Sequence, residues 1–247
     1  MDPDSLLTLF DDVVAGITEA LAGHDGWQLA DTVPGQYTHD IVADDVAVAM
    51  LLDAGVGVFS EETGLHQSQR EVVVVVDPVD GSTNASRGIP WYATSLCAVD
   101  AQGPLASVVT NLASGERYSA VRGGGATRDG EAIAPSGCER FSDALVVLSD
   151  LPPARLGWGQ YRTNGASALD LCLVAAGVID GFIDCGQHGH APWDYLGAQL
   201  VCTEAGAAIT EARGRDLVVL EPGERRLPVA AATPALLAEM VEARATF

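Results

Sequence analysis

The chain has 247 residues, 48% of them hydrophobic, and a formal net charge of −21. That apolar content excludes a disordered chain, and that charge excludes a surface built to bind nucleic acid or anionic lipid. No apolar run approaches the ~20 residues that a membrane helix needs, and the acidic start Met1-Asp2-Pro3-Asp4 lacks the basic flank of a secretory signal, so a cytoplasmic protein without membrane contact is expected. An acidic surface also repels an anionic substrate unless a local cation reverses the field, which points to a bound metal if the substrate is a phosphate. All 13 cationic side chains are arginine. The five cysteines, Cys97, Cys138, Cys172, Cys185 and Cys202, include no Cys-x-x-Cys pair and are expected to be ordinary buried thiols.

Leu6, Leu9, Val13, Ile17 and Leu21 recur at helical spacing, so a helix is predicted over 5–22, followed by a loop over 23–37. A second helix is predicted over 40–52, then a short strand over 56–60. The β-branched run 72–76 predicts a buried strand that stops at Asp77-Pro78. Further strands are predicted over 93–99, 105–111 and 117–122, with a turn at Gly123-Gly124-Gly125. The polar segment 135–140 marks a boundary between halves 1–140 and 141–247. The second half reads as strand 144–149, helix 166–176, strand 178–184, helix 194–205, strand 217–220 and helix 234–243. The mixture predicts a layered α/β architecture.

The densest signal is Asp77-Pro78-Val79-Asp80-Gly81-Ser82-Thr83-Asn84. Two carboxylates follow a buried strand, Pro78 stiffens the turn between them, Gly81 permits close backbone approach, and Ser82 suits a helix N-cap. Carboxylates hold Mg²⁺ and free helix amides hold phosphate, so the string combines both halves of a metal-assisted phosphate site. A bare Asp-x-x-Asp is ordinarily a turn cap, and the eight-residue string is far more specific. Glu61-Glu62 after a strand and Asp194 at a helix start would each be unremarkable alone. His188 and His190, in a loop before Trp193, are expected at the surface.

Together these pieces resemble the inositol monophosphatase family of lithium-sensitive, Mg²⁺-dependent phosphatases. The family's Asp-Pro-Ile/Val-Asp-Gly-Thr/Ser-x-Asn signature matches 77–84, its Trp-Asp…Glu-Ala-Gly signature matches 193–206, and its Gly-Glu-Glu element matches Ser60-Glu61-Glu62 with serine for glycine. Arg162-Thr163-Asn164-Gly165-Ala166-Ser167-Ala168 resembles the family's Arg-x-x-Gly-Ser/Thr-Ala-Ala element. The resemblance runs in order from about Asp40 to Gly206.

The resemblance implies an αβαβα sandwich of the inositol monophosphatase/fructose-1,6-bisphosphatase type, a homodimer, and two Mg²⁺ ions, or three. The implied metal ligands are Glu61, Asp77, the Val79 carbonyl, Asp80 and Asp194. Gly81 and Ser82 amides would receive the phosphate. Glu61 and the Ser82 hydroxyl, supported by Asp40, would position and deprotonate water. Gly165, Ala166, Ser167 and Asp184 would meet the organic part of a small phosphorylated metabolite. Two ions at such a site activate water and stabilise the leaving oxygen. The segment Gly35-Gln36-Tyr37-Thr38 lacks the lysine frequent in the family's mobile loop, and Ala43 stands where a threonine is expected, with shortened spacing to Asp44 and Asp45. These departures bear on the loop and a third metal. Inositol monophosphate is the first substrate expected, with histidinol phosphate or fructose 1,6-bisphosphate as alternatives. Adenosine 3′,5′-bisphosphate is disfavoured because Thr83-Asn84 replaces Lys-Glu. A non-catalytic metal or phosphate sensor is the alternative of another class; it should have lost a ligand, and all four acids are present.

Overall fold

The computed structural model describes residues 1–24, 27–30 and 36–247. Parts of the expected loop 23–37, including Gly35, lie outside the described residues. Helix α1 (Pro3–Ala22) starts where Asp2 accepts from the Ser5 amide at 3.0 Å, and it buries the stripe Leu6, Phe10, Val13 and Ile17. Helix α2 (Thr38–Asp53) packs beside it.

Eight strands follow: β1 (Gly57–Ser60), β2 (Gly64–His66), β3 (Val73–Asp80), β4 (Ala93–Asp100), β5 (Gly103–Asn111), β6 (Arg117–Val121), β7 (Gly125–Arg128) and β8 (Glu131–Ala132). They form one sheet in the order β2-β1-β3-β4-β5-β6-β7-β8, antiparallel except for β1 beside β3. The short helix α3 (Ser82–Ser86) interrupts them between β3 and β4. The remaining strands β9 (Leu145–Ser149), β10 (Gln160–Arg162), β11 (Gly181–Asp184), β12 (Ala208–Glu211) and β13 (Pro228–Ala231) form a second sheet, ordered β10-β9-β11-β13-β12. Helices α4 (Ser167–Ala175), α5 (Leu196–Ala205) and α6 (Pro234–Arg244) complete the chain.

Three apolar clusters fix the layering. Leu6, Phe10, Ala47 and Leu51 of the first helix pair meet Val58, Val74, Val76 and Val108 on one face of the large sheet. The opposite face, with Val73, Val75, Val109 and Tyr118, packs on Leu169, Cys172, Leu196 and Val201 of α4 and α5, which also cover Val147 and Phe182 of the small sheet. The outer face of that sheet, Val146, Ile183 and Val229, closes on Leu236 and Met240 of α6. The order is therefore α, β, α, β, α, as the resemblance implies.

The structure corrects several local expectations. Residues 217–220 are not a strand. Leu217 is held instead by the Tyr195 hydroxyl on its carbonyl at 2.7 Å, and the Val218 amide turns onto Asp216 at 2.9 Å. Strands β12 and β13 take the place in the small sheet; their alanines and Pro228 carry little β signal. Strand β3 does not stop at residue 76 but continues to Asp80. Gly81, not Ser82, is the N-cap of α3. Asp194 closes a 3₁₀ turn, Pro192–Asp194, just before α5 rather than opening that helix.

Candidate active site

The site forms where β3 loses its regular register. Asp77 pairs with Ser95 and Asp80 with Ala93, so one extra residue bulges from β3. A regular pleat sends residues three apart to opposite faces; the bulge lets Asp77 and Asp80 join one cluster, and it gives Pro78 a place without a ladder amide. The Thr94 hydroxyl fixes the bulge by donating to the Pro78 carbonyl at 2.8 Å, and the Val79 amide donates to Asp77 Oδ1 at 3.1 Å. Gly81 follows with φ 89°, and a Cβ there would lie 3.0 Å from the Trp91 carbonyl oxygen and 3.1 Å from that of Gly165. Only glycine fits both the backbone and the space. The Ser82 hydroxyl then lies 2.7 Å from Asp40 Oδ1 and 2.8 Å from the Val79 carbonyl oxygen, with a single hydrogen to offer the two.

Glu61 is set at the end of β1 by its amide bond to the Val76 carbonyl, 3.1 Å. Asp194 accepts from the Ala191 amide at 2.8 Å within its turn. Asp77 and Asp80 are buried, Asp194 is half-buried and Glu61 is exposed. Burial first, then the charges of Glu61, Asp80 and Asp194, push the Asp77 carboxyl well above its usual range. Asp80 is pushed up to about 8, by burial and then by Asp194. Glu61, solvent-touching yet closely walled by protein, is raised by desolvation and then by Asp194 and Glu62. Its interaction with the Asp77 carboxyl opposes that rise and adds to the rise of Asp77. Asp194 is raised by burial despite the opposing charges of His190 and Arg225.

These donors fit a divalent cation in kind: hard carboxylate oxygens from β1, β3 and the 3₁₀ turn, beside the Val79 carbonyl, carry more negative charge than the protein around them neutralises. Among the described residues no three His, Cys, Asp or Glu side chains already form a finished cage. Glu61, Asp77 and Asp80 are each raised by neighbouring carboxylates, a repulsion that a bound cation would relieve.

The remaining expected residues sit nearby. Asp40 lies on the first turn of α2 and is raised by burial against its bonds to Ser82 and to the Tyr37 amide, 3.0 Å. Gly165 and Ser167 line a cavity of about 300 Å³ with Asn84, Ser149, Asn164 and Asp170, while Ala166 is buried behind it. Asn84 joins this wall to the motif by donating to the carbonyls of Trp91 and Asn164, both at 2.8 Å. None of the four acids lines this cavity, nor a larger one of about 550 Å³ beneath Trp158 and Tyr161.

Two placements differ from the sequence reading. His190 is not a surface residue: its imidazole is bonded to Asp184, Ser167 and Ser149. Asp184 is buried, and its carboxylate is covered by that imidazole instead of opening to the cavity. Sequence reasoning also passed over Asp44, which accepts from the hydroxyls of Ser60 and Thr63, and Asp170, which holds the Trp91 indole at 2.9 Å and Asn164 at 2.8 Å. Asp44 follows Asp40 by one helical turn, a spacing that could have found it. The contact of Ser60 with Asp44 also gives the serine that replaces the expected glycine a partner.

Comparison with known proteins bears on the family and the fold. A family model described as the inositol monophosphatase family matches residues 39–246. A Thermococcus kodakarensis protein named fructose-1,6-bisphosphatase/inositol-1-monophosphatase is 35% identical over 225 residues, covering 88% of this chain and 87% of that protein. A Mesorhizobium japonicum inositol-1-monophosphatase is 33% identical, over 73% of this chain and 74% of its own. Among solved structures, a Pyrococcus horikoshii protein described as similar to inositol-1 monophosphatase superposes with a TM-score of 0.88 at 23% identity, covering 98% of this chain and 99% of that one. The enzyme is a phosphatase, a phosphoric monoester hydrolase. Within that class, the chain belongs to the inositol monophosphatase family, whose members are generally metal-dependent.

Proposed function

We propose that this enzyme is a Mg²⁺-dependent phosphomonoesterase that hydrolyses a small polyol phosphate, inositol monophosphate first, using two ions. The observation that carries the reading is the meeting of Glu61, Asp77, Asp80 and Asp194 in one cluster whose charges are not balanced by the protein. These carboxylates and the Val79 carbonyl would hold the Mg²⁺ ions. When bound, Mg²⁺ supplies Lewis-acid charge on the phosphate oxygens and makes a nearby water acidic. Asp40 Oδ1 accepts the Ser82 hydrogen, which leaves the Ser82 oxygen to accept from the attacking water. Glu61 takes the proton that the water gives up. The Gly81 and Ser82 amides precede the first intrahelical bond of α3, so they are free to donate to the phosphate. The wall of Gly165 and Ser167, with Ala166 and Asp184 behind it, receives the organic part.

A second substrate is favoured by one observation: the Thermococcus kodakarensis relative is named for fructose-1,6-bisphosphatase as well as inositol-1-monophosphatase activity. The decisive experiment measures phosphate release from inositol 1-phosphate, fructose 1,6-bisphosphate and histidinol phosphate, with Mg²⁺ and with a chelator. Release from at least one ester only with Mg²⁺ is expected. Absence of release from all of them would favour the non-catalytic sensor. Two cooperating halves, 1–140 and 141–247, and a cytoplasmic homodimer complete the reading. Among the described residues no helix is long and apolar enough to cross a membrane. A stable monomer in sedimentation would remove the dimer.

A further inference from the structure

Helix α2 carries two buried carboxylates one turn apart, Asp40 and Asp44. Asp40 takes the Ser82 hydroxyl. Asp44 is 1% exposed, and both of its oxygens are taken from the turn that follows β1. Oδ1 accepts from Ser60 Oγ, and Oδ2 accepts from Thr63 Oγ1 at 2.8 Å. Each hydroxyl has one hydrogen, so both oxygens are left to accept in turn. Ser60 Oγ accepts from the Glu62 amide at 3.1 Å, and Thr63 Oγ1 accepts from His66 Nε2 at 2.9 Å. These bonds all run toward one carboxylate, which clasps the chain on both sides of Glu61-Glu62. Between the two contacts, the Glu61 amide is anchored on the Val76 carbonyl at 3.1 Å.

We propose that Asp44 is a positioning residue for the metal-binding acids: through Ser60 and Thr63 it fixes the turn that aims Glu61 into the cluster. This rests on the phosphatase reading above and adds a residue to it. Packing alone does not call for an acid at this place. Ala43, Ala47 and Leu51 of α2 already bury against the large sheet beside Val58. Burial raises the Asp44 carboxyl, against the bonds from Ser60 and Thr63, so an acid here is costly to keep. What the carboxylate adds is register, because one group with two acceptor oxygens ties two hydroxyls three residues apart to a single point of the helix. The side chain of Glu61 is exposed and has no wall of its own to orient it, so its direction follows from the turn. The same geometry gives the serine at position 60 a purpose. A glycine there would leave Asp44 Oδ1 and the Glu62 amide without this partner. Asp40 and Asp44 thus divide the work of one helix face, the first setting the Ser82 hydroxyl and the second setting Glu61.

The test is Mg²⁺ alone titrated into the metal-free enzyme by calorimetry, with steady-state phosphate release from inositol 1-phosphate beside it. Asp44→Asn keeps one acceptor and sets a donor against the other hydroxyl. It is expected to raise the Kd for Mg²⁺ roughly 10-fold, the scale of losing a group that orients a metal ligand, with KM for the ester at saturating Mg²⁺ changed far less. Thr63→Val, of the same shape without the hydroxyl, should raise the Kd about 3-fold, the scale of one hydrogen bond, and Thr63→Ser should restore it. Ser60→Gly should act in the same direction and should not add to Asp44→Asn in a double variant. Leu51→Ala, which opens the core under the same helix, should lower the melting temperature and leave the Kd unchanged. A wild-type Kd in both Asp44→Asn and Thr63→Val, or an equal rise in Leu51→Ala, would overturn the proposal while leaving the phosphatase reading intact. A wild-type protein that neither binds Mg²⁺ nor releases phosphate would remove both. Should Asp44→Asn fail to fold, the Thr63→Val and Thr63→Ser pair, at an exposed position, still decides.

Discussion

Two buried carboxylates in this molecule have opposite fates. Burial alone would raise Glu211, but Arg215 and the amides of Arg213, Arg215 and Leu227 surround it and hold its pKa below the usual value. Arg215 Nη2 lies 2.5 Å away. Asp80 is buried too, yet it has one amide, from Ala168, and the charge of Asp194 beside it, and is pushed up to about 8. Glu211 is a finished structural joint. Asp80 is an acid whose partner must arrive from outside. In a chain of net charge −21, the fold could have placed one of its 13 arginines against Asp80 and did not.

The contrast breaks most sharply by removing charge at Asp80. Asp80→Asn should lower Mg²⁺-dependent phosphate release by at least about 10²-fold, the scale of losing one preorganised electrostatic group. The metal-free variant should melt at or above the wild-type temperature, because an amide relieves the crowding. Mg²⁺ at about 100 times its Kd should stabilise wild-type by about 2.7 kcal/mol and the variant much less. Near wild-type turnover in Asp80→Asn would end the two-metal reading.

The next effect is a pH slope. The folded pKa of Asp80, about 8, lies above the ordinary carboxylate value. Stability from this group is therefore complete below the ordinary carboxylate range and is lost as pH rises through about 8. Melting of the metal-free protein at pH 5, 7 and 9 should fall across the series, and less so in Asp80→Asn. Saturating Mg²⁺ should flatten the fall, since binding requires the ionised form. A metal-free protein that gains stability over this range would contradict the comparison.

At the other carboxylate the signature reverses. Glu211→Gln should destabilise by about 1–3 kcal/mol, discounted because Arg215 is 39% exposed, and leave the response to Mg²⁺ intact. Denaturant unfolding and phosphate release separate the two effects. Smallest of all, Asp11→Asn breaks the exposed pair with Arg117 at 2.6 Å and should shift stability by under about 1 kcal/mol, within the range of surface ion pairs.

The sequence carried the chemistry better than the connections. Asp77, Asp80, Glu61 and Asp194 stood in readable strings, and helices such as α1 and α6 announced themselves through spacing and a proline start. Strands β12 and β13 did not, because alanine and proline suit a sheet only where neighbours cover them. The His190 chain was illegible for another reason: Asp184, His190 and Ser167 come from a strand end, a loop and a helix start, and no local pattern announces their meeting. Nor does a string of letters reveal that β3 bulges, although that bulge brings the two motif aspartates together.

That bulge constrains the gene by count as well as by identity. Thr94 and Ala93 grip the segment from the opposite strand, so deleting one residue between Asp77 and Asp80 would remove the bulge and the place it gives Pro78 and the Val79 carbonyl, and inserting one would shift every residue beyond it by one place against β4. Conservative exchanges at Val79 should be tolerated, whereas single-codon indels there should not. In a library that scores length variants beside substitutions, the interval from Asp77 to Asp80 should stand out as a place where the reading distance itself is under selection.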